Sequence, residues 1–415
     1  MADTLLPTPP PGPEAATAWV ASQLSALSLE RPEQIAASPA FRGGQRAADE
    51  ALACYDATGY AAARNEVWPP ARRGASALSP WIRHGLLSLP RVWEHVEGAP
   101  ARDVRTLREE LLWQEYARHL YARLGTRTGE SLRYAVPDRT ERSPDAREVW
   151  DPRMACLGLA TDELTRDGWL VNQHRLWLAG HWTVRHGWGW RDGEDAFFTH
   201  LLDGSRAANR LGWQWAAGAG TGRPYAFSRW QVKRRAPGLC EQCELSSTCP
   251  VQERPADVPL EALLDPPELL RADPRLERTA GPPRPTRVAD PDVVWLTAES
   301  LGDADPALSA YPGLPVLFVF DAPLLARLRL SGKRLVFLAE TLADLATRRD
   351  VEVHLGRPSD VVATRRPAVT YAPVPGMRRR LDRLSVADLH PWPWLVPPHD
   401  GPVSSFSASR KAAQV

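Results

Sequence analysis

The spacing of apolar positions changes along the chain, and the predicted secondary structure changes with it. From Ala16 to about Thr248 helical patterns dominate, for example in residues 103–124, where apolar residues recur every three or four positions. Beyond about residue 290, short apolar runs bounded by turn residues take over, as at 293–296 and 316–320. The first pattern predicts an all-helical region, and the second predicts strands.

Helical stretches alternate with the C-terminal strands, which indicates a parallel sheet. We expect helices at 305–310 and 333–348, and further strands at 351–355 and 368–372. Such alternation places helices on the faces of a parallel sheet. The fold class is therefore multidomain, with an all-α domain followed by a smaller α/β parallel-sheet (Rossmann-like) domain.

Composition suggests where the domains begin and end. Residues 1–15 are rich in proline and are expected to be a disordered lead before a helical domain at 16–250. Residues 251–290 hold many prolines and charges but few aromatics, which is typical of a linker. The α/β domain is then expected at 291–395, with a tail at 396–415.

Charge and hydropathy exclude few functions. The net charge of +1 neither favours nor excludes nucleic acid, because a local basic face can exist in a balanced total. No apolar run approaches the roughly 20 residues of a membrane span, and the N-terminus lacks the features of a secretory signal. We therefore expect a cytoplasmic protein. The 17 tryptophans are unusual, although core packing accounts for most of them.

The segment 201–216 holds the most informative chemistry. It contains Asp203, Asn209, Trp213 and Trp215 within an irregular helical stretch. A carboxylate, an amide and two indoles suit a buried redox ring, because polar groups address the edge of the ring while aromatic groups relay charge or stack. Taken alone, an aromatic-rich core helix explains the same residues equally well.

This segment resembles the flavin-binding signature of DNA photolyases and cryptochromes. Further blocks follow in that family's order and cover about residues 40–230: Phe41–Gly44 with Tyr60 and Arg64, Ser76–Pro80 with Gly85 and Ser88, Glu110–Leu120, Trp169–Arg175, and Trp190–Gly193. The resemblance implies a light-dependent protein that holds FAD in its helical domain.

The resemblance also assigns residue roles. Asn209 would face the reactive nitrogen of the flavin, and an Arg175–Asp203 ion pair would lie against the ring and favour its reduced form. Trp213 and then Trp190 would relay electrons, with Trp150, Trp182 and Trp188 as candidates for the outer step. The implied cofactor-binding residues are Tyr60, Ser76, Leu78, Ser79, Gln114, Asn172, Arg175, Asp203, Ser205 and Asn209. The implied lesion-binding residues are Glu110, Trp113, Asn172 and Trp215.

Several positions depart from the family pattern. Gln114, Gln173, Leu176 and Ser205 replace residues that usually contact substrate or diphosphate, and they leave two functions open. One is a photolyase that repairs cyclobutane pyrimidine dimers in damaged DNA. The other is a cryptochrome-like photoreceptor that signals to a protein partner. A basic edge could contact phosphates, although a solvated charged face is an equal explanation; its residues are Arg223, Arg229, Lys233, Arg234 and Arg235.

Four cysteines have the spacing of a metal site. Cys240, Cys243 and Cys249, with Cys156 far upstream, could ligate either a [4Fe–4S] cluster or a zinc ion. Resemblance to an iron–sulfur branch of the family favours the cluster. That branch often carries a histidine pair for (6-4) lesions where this chain has Val171 and Asn172, so (6-4) repair is disfavoured. Cys54 is expected to be an ordinary buried cysteine.

The C-terminal domain resembles the antenna-binding α/β domain of the same family. The similarity lies in Asp292–Leu296, Asp305–Leu308, Leu330–Glu340 and Gly356–Val361. That domain ordinarily comes first, so the chain looks circularly permuted. Thr297–Ser300 replaces an arginine-rich turn, which leaves open whether the domain binds an antenna chromophore or is a structural brace.

Overall fold

The architecture is that of a computed structural model, which describes residues 3–137 and 145–415. Nineteen α-helices occur in these residues: α1 Pro13–Gln23, α2 Gln45–Ala53, α3 Tyr60–Ala63, α4 Ser79–Arg83, α5 Leu89–His95, α6 Ala101–Leu124, α7 Ala146–Val149, α8 Ala155–Arg166, α9 Asn172–Gly180, α10 Trp190–His200, α11 Arg206–Ala217, α12 Arg229–Arg235, α13 Leu276–Ala280, α14 Pro306–Ala310, α15 Ala322–Leu328, α16 Gly332–Ala346, α17 Pro358–Val362, α18 Pro375–Leu381 and α19 Phe406–Ala413. None of them is both long and apolar enough to cross a bilayer.

One sheet of seven strands forms from the described residues. Its strands are β1 Thr4–Leu6, β2 Thr286–Arg287, β3 Val293–Leu296, β4 Val316–Asp321, β5 Val351–Gly356, β6 Pro367–Thr370 and β7 Asp388–His390. The spatial order is β1-β5-β4-β3-β6-β7-β2; the five inner strands are parallel, and both edge strands are antiparallel to their neighbours. The strand order reverses between β3 and β6, which is where open α/β sheets leave a crevice for ligands.

The sequence-based strand and helix positions in the C-terminal part are confirmed to within a few residues. The buried runs 293–296 and 316–320 are β3 and β4, and the stretch 333–348 overlaps all but the first residue of α16. Helix α16 is buried on nearly all sides because it lies between the sheet and the helical region. This helix therefore forms the wall that the two regions share.

The expectation of a disordered lead at 1–15 is wrong for residues 3–15. Residues 1 and 2 lie outside the described residues. Strand β1 pairs with β5, and α1 begins at Pro13 and packs against α16. The ring of Trp19 lies 6.0 Å from that of Phe320. Burial of apolar side chains against the α/β sheet therefore orders this N-terminal segment, although most of the sheet lies some 300 residues later.

The linker and the tail also carry ordered elements. Within 251–290 lie the short helix α13 and the edge strand β2, which pairs with β7. In the tail, α19 packs on α6, with the rings of Phe406 and Tyr116 5.8 Å apart. The proline-rich segment is therefore partly structured and closes one edge of the sheet.

Acidic side chains of α16 hold the loop that leads into α2. The amide nitrogens of Gly43, Gly44 and Gln45 donate to Glu340 (2.7 Å), Thr341 (3.0 Å) and Asp344 (2.8 Å), in that order. These amides have no partner within α2, so the side chains of α16 satisfy donors at the start of that helix. The contact fixes the helical region against the sheet.

Lys333 of α16 is 6% exposed, and burial lowers the pKa of its ammonium group to about 8. In the unfolded chain the pKa is near 10.5, so the unfolded state binds more protons between about pH 8 and pH 10.5 and the native state gains stability across that window. We predict that Lys333→Met raises the free energy of unfolding by up to about 3 kcal/mol below pH 8, and that this gain shrinks as the pH rises to about 10.5.

Urea unfolding at a series of pH values measures this difference. The Lys233→Met variant, which removes a lysine from the surface, is the control for loss of a lysine as such. A constant difference between Lys333→Met and the parent across the window would contradict the prediction.

Candidate functional site

A cavity of about 1120 Å³ opens between the helical region and the sheet. Its helical side is lined from α4, α6, α9 and α11, and its other side comes from the carboxyl ends of β3 and β4 and from the segments after β5 and β6. Ligand pockets commonly measure about 300–1,000 Å³, so this cavity has room for a large ligand. It also lies at the point where the strand order of the sheet reverses.

Most of the sequence-predicted site residues meet in this cavity. Those that line it are Tyr60, Ser76, Ser79, Glu110, Trp113, Gln114, Asn172, Arg175, Asp203, Ser205, Asn209 and Trp213. Leu78, Trp190 and Trp215 are not among the lining residues. Leu78 is buried as the residue before α4, and Trp190 is buried at the start of α10.

Asp203 is the centre of a polar network at the cavity wall. Its Oδ2 accepts from the guanidinium of Arg175 at 2.7 Å and from the hydroxyl of Ser79 at 2.6 Å. The indole of Trp169 in turn donates to the Ser79 oxygen at 3.0 Å. Because the single hydroxyl hydrogen of Ser79 is directed at Asp203, this serine orients a carboxylate of the protein.

Three residues that line the cavity each have a buried polar atom without a hydrogen-bond partner within the described residues: Asp203 Oδ1, Asn209 Nδ2 and Trp213 Nε1. The first two belong to a carboxylate and an amide. A buried polar atom without a partner costs about 1–3 kcal/mol, so such an atom needs an explanation. An acceptor and a donor facing one cavity suit a planar heterocycle that carries both a donor and an acceptor on its edge.

The outer part of the cavity carries a charged pair and an indole. Arg64 donates to Glu110 at 3.2 Å, and both side chains are partly exposed. Burial raises the pKa of Glu110, and the charge of Arg64 opposes that rise. Trp113 lies about one helical turn further along α6. This arrangement leaves a carboxyl group and an aromatic face available to a second molecule.

Trp215 lies elsewhere. Its side chain is 42% exposed, and its ring packs 5.5 Å from that of Tyr225. Two residues along an α-helix correspond to a rotation of about 200°, so Trp213 and Trp215 point to opposite sides of α11. Stacking of Trp113 and Trp215 on one bound base stays a prediction; of the two, only Trp113 is among the residues that line the cavity.

Trp213 is buried in a group of aromatic rings. Its ring centroid lies 5.0 Å from Phe197 and 6.4 Å from Trp182, and Trp182 lies 5.3 Å from Trp150. Trp190 is also buried, with the guanidinium of Arg191 5.4 Å from its ring. Trp182 and Trp150, two of the three candidates for the outer step of the relay, are thus in ring contact with Trp213 or with each other.

The α/β side of the cavity was missed by the sequence analysis. Thr297, Glu299 and Asp321 line it, and Arg83 forms a two-pronged ion pair with Glu299 at 2.7 and 2.8 Å. The rule that the carboxyl ends of parallel strands share one edge could have placed Thr297 and Asp321 together. No sequence signal connected them to the helical domain.

The four cysteines of the predicted metal site line one small cavity. Cys156, Cys240, Cys243 and Cys249 surround a space of about 20 Å³, together with Arg229 and apolar residues. Burial raises the pKa of the Cys156 thiol, and the other three cysteines add to that effect. Within residues 3–137 and 145–415, no group of three or more His, Cys, Asp or Glu side chains is arranged to hold a metal ion.

Cys54 is exposed, so the expectation of a buried cysteine is wrong. It follows the end of α2, where the chain turns outward after the last buried residue of that helix, Leu52.

Gly193 makes room for Trp213. A Cβ atom at this position would lie 2.2 Å from Cη2 of Trp213 and 3.1 Å from Cδ2 of Trp182. We predict that Gly193→Ala displaces the Trp213 ring and lowers the free energy of unfolding by about 1–3 kcal/mol, the usual cost of overpacking. Urea unfolding and the near-ultraviolet circular dichroism of the indoles measure both effects.

Gly220→Ala is the control, because a Cβ atom there meets no atom within 4 Å. If Gly193→Ala and Gly220→Ala unfold alike and keep the same indole signal, the described packing around Trp213 is wrong.

Comparison with known proteins shows similarity over the part of the chain that holds much of this site. Residues 107–236 match the FAD binding domain of DNA photolyase. The deoxyribodipyrimidine photo-lyases of Synechococcus sp. and Escherichia coli are 30% and 32% identical over 197 and 163 residues. These alignments cover 42% and 37% of this chain, and 37% and 34% of the relatives. A deoxyribodipyrimidine photo-lyase of Thermus thermophilus is 29% identical over 235 residues, 52% of this chain and 45% of the relative.

The chain therefore aligns with less than half the length of each of these curated relatives. Among solved structures, a class III photolyase from Agrobacterium tumefaciens has 24% identity and a TM-score of 0.40, over 46% of this chain and 42% of that chain. A cryptochrome from Synechocystis sp. has 23% identity and a TM-score of 0.43, over 48% and 44%. Over residues 107–236, the chain is therefore similar to the FAD binding domain of DNA photolyase.

Proposed function

We propose that the protein is a light-dependent FAD protein that repairs cyclobutane pyrimidine dimers in DNA by photoinduced electron transfer. The observation that carries the proposal is the pair of unpartnered buried atoms, Asp203 Oδ1 and Asn209 Nδ2, in a large cavity of the matching domain. Bound in this cavity, reduced FAD would supply the light-driven electron-transfer chemistry that splitting of the dimer needs.

The residues of the cavity fit the two ends of FAD. Asp203 and Asn209 offer an acceptor and a donor to the edge of the flavin ring, and Arg175 keeps the Asp203 charge compensated. Ser205 and Arg206 lie at the N-terminus of α11, beside the cavity. The exposed amides and positive dipole end of a helix N-terminus suit a diphosphate.

The rim of the cavity would receive the damaged bases. A dimer must leave the DNA stack to reach a buried flavin. Trp113 offers a face for stacking, and the carboxyl group of Glu110 offers hydrogen bonds to a base edge. Asn172 is exposed at the same cavity, so its amide can reach both the ligand and the incoming base.

The buried indoles would return electrons to an oxidised flavin. Trp213 lines the cavity and is the inner member of the relay, followed by Trp190. Trp182 and Trp150 are in ring contact with the same group and are suited to the outer steps. The chain's part in this step is to keep the rings close together and away from water.

A cryptochrome-like photoreceptor without repair activity is the second candidate. The position of Trp215 favours it, because this indole lies outside the cavity and leaves Trp113 without a facing partner there. Gln173 also favours it, since its amide is engaged with the hydroxyl of Tyr225 at 2.9 Å. In that case a protein partner would sense the redox state of the flavin.

Repair can be tested by illuminating the reduced protein with oligothymidine that contains dimers. We expect the ultraviolet absorbance of intact thymine to recover. Glu110→Gln should slow the recovery about five- to tenfold, as expected from loss of roughly 1–1.5 kcal/mol of hydrogen bonding. Glu109→Gln is the matched control, because this exposed neighbour on α6 does not line the cavity.

No recovery, with normal photoreduction of the flavin, would contradict repair and leave the photoreceptor. Equal repair rates for Glu110→Gln and Glu109→Gln would show that Glu110 does not contact the damaged bases.

We also propose that Cys156, Cys240, Cys243 and Cys249 hold a [4Fe–4S] cluster, with zinc as the alternative ligand of the same four thiolates. The proposal is supported by their position around one cavity and by the nearby cation of Arg229, which lowers the pKa of Cys240 against the larger rise that burial causes. In a [4Fe–4S] cluster each thiolate coordinates a different iron, whereas all four thiolates coordinate a single zinc ion.

Elemental analysis of the purified protein tests this assignment. We expect about four irons per chain, lost in Cys240→Ser and kept in Cys54→Ser, since Cys54 is exposed and lies outside the cysteine cavity. One zinc per chain would overturn the cluster in favour of zinc, and a protein without either metal would overturn both.

The domain order leads to a last proposal, that the chain is a circular permutation of the photolyase arrangement. The support is that most of the sheet follows the helical region while β1 and α1 join the sheet from the N-terminus. Such a rearrangement is tolerated when the ends of a domain lie close together.

A further inference from the structure

Two histidine rings meet where helix α9 ends. The helix passes there into a single π-helical turn, His181–Arg185, which we call the π-turn. The Nε2 atoms of His181 and His186 lie 3.1 Å apart, and the centroids of the two rings are 4.7 Å apart. Neither histidine lines the large cavity or the cysteine cavity. The histidine pair is therefore separate from both sites described above.

The π-turn is what brings the two rings together. In an α-helix, residues five positions apart are separated by about 140° around the axis, so their side chains point in different directions. In the π-turn, the amide of His186 donates to the carbonyl oxygen of His181 at 3.2 Å, which is the five-residue hydrogen bond of a π-helix. This wider turn places both side chains on one side of the helix. Such single π-turns are frequent at functional sites.

Both imidazoles are neutral at pH 7, as metal ligands must be. Burial, together with the charges of His186 and Arg185, lowers the pKa of His181 to about 3, and burial also lowers the pKa of His186. Nδ1 of His181 has no hydrogen-bond partner of the usual geometry among the described residues, yet the backbone of Val149 lies near enough to raise the pKa of the ring. A carbonyl on that side favours a hydrogen on Nδ1, which leaves the lone pair on Nε2 for a ligand.

The distance between the two Nε2 atoms fits a metal ion. Two imidazole nitrogens, each bound about 2.0–2.1 Å from a tetrahedral ion, lie about 3.3 Å from one another. The separation of 3.1 Å between His181 and His186 is within a few tenths of an ångström of that value. In the absence of an ion, one ring donates its Nε2 hydrogen to the other, and a bound ion replaces that hydrogen by accepting both lone pairs.

The charges around the histidine pair are mixed. The charge of Arg185 opposes a cation, but its guanidinium is held toward a neighbouring loop, where it donates to the carbonyl oxygens of Phe227 and Pro250 at 3.0 Å each. The carboxylate of Asp151 acts in the opposite direction and raises the pKa of His181. Within residues 3–137 and 145–415, no further His, Cys, Asp or Glu side chain joins the pair in a set of three ligands. Water must therefore complete the coordination.

We propose that His181 and His186 bind one divalent transition-metal ion, with water in the other coordination positions. Imidazole nitrogen is a good ligand for zinc, copper and nickel, whereas calcium and magnesium prefer oxygen. His186 is exposed, so an ion can reach the pair from solvent. The ion links the first residue of the π-turn to the residue that follows it, and so braces the segment from which Trp182 contacts Trp213. The inference does not rest on the proposed function.

The test uses the full-length protein without an affinity tag, and Ni²⁺ as the probe. Isothermal titration calorimetry should show saturation at one Ni²⁺ per chain. His186→Gln should weaken binding at least about tenfold, because it removes one of two protein ligands, and even outer partners of a ligand are worth that much. Ni²⁺ should also raise the midpoint of thermal unfolding of the parent protein, and much less that of His186→Gln.

His95→Gln is the matched control. His95 is likewise exposed, and its ring contacts the carbonyl oxygen of Tyr55 instead of a second histidine. This variant should bind Ni²⁺ within about twofold of the parent protein. Absorption spectra recorded during the titration separate the histidine pair from the cysteines, because nickel bound by a thiolate gives charge-transfer bands that nickel bound by imidazole lacks. We expect no such bands at one Ni²⁺ per chain.

Three results would overturn the proposal. They are the absence of saturable binding, equal affinities of His186→Gln and the parent protein, and thiolate charge-transfer bands that grow in step with the bound nickel. The assay needs neither flavin, light nor DNA, so its result is separate from that of the repair assay.

Discussion

The structure of the candidate site depends on one buried carboxylate. Asp203 lies between α10 and α11, and one of its oxygens is held by Arg175 of α9 and by Ser79 of α4. Burying a charge is costly unless it is paired and hydrogen-bonded, and these two partners meet that requirement. The same contacts leave the second oxygen free of protein partners within the described residues, beside the amide of Asn209. A single network therefore joins α4 and α9 to the segment before α11 and also presents polar atoms to the cavity.

The cavity exists because two regions are held apart at a fixed distance by α16. Its acidic side chains hold the loop before α2, and the buried guanidinium of Arg334 donates to the carbonyl oxygens of Phe198 and Gly204. These contacts reach both ends of the segment that leads into α11. The sheet, through α16, thus positions the helix that carries Asn209 and Trp213. The α/β domain is therefore required to position α11, whether or not it binds a chromophore.

The sequence predicts the regular parts of this molecule well. The apolar period over 103–124 corresponds to α6, and the buried runs after residue 290 correspond to parallel strands, because in both cases burial imposes a repeat that a local pattern can show. Most of the site residues that the family resemblance implied line one cavity, and the four cysteines line another. What the sequence could not show are interactions set by distant partners. Strand β1 has only three residues and pairs with β5 about 350 positions later, so no local pattern marks it.

The sequence also could not predict the direction in which individual side chains point. Trp213 and Trp215 occur in one motif, but their positions on α11 send them to opposite sides, and Ser79 turns its hydroxyl toward Asp203. A motif gives residue types in order, whereas direction depends on the packed backbone.

The central claim is that the cavity around Asp203 and Asn209 holds a flavin. Titration of the purified protein with FAD, followed by the change in flavin fluorescence, tests it most directly. The account predicts saturation at one FAD per chain, and binding at least about tenfold weaker in Asp203→Asn, which loses a charge-assisted hydrogen bond and the pairing of Arg175. A protein that takes up no FAD, or an Asp203→Asn variant that binds it as tightly as the parent, would contradict the account.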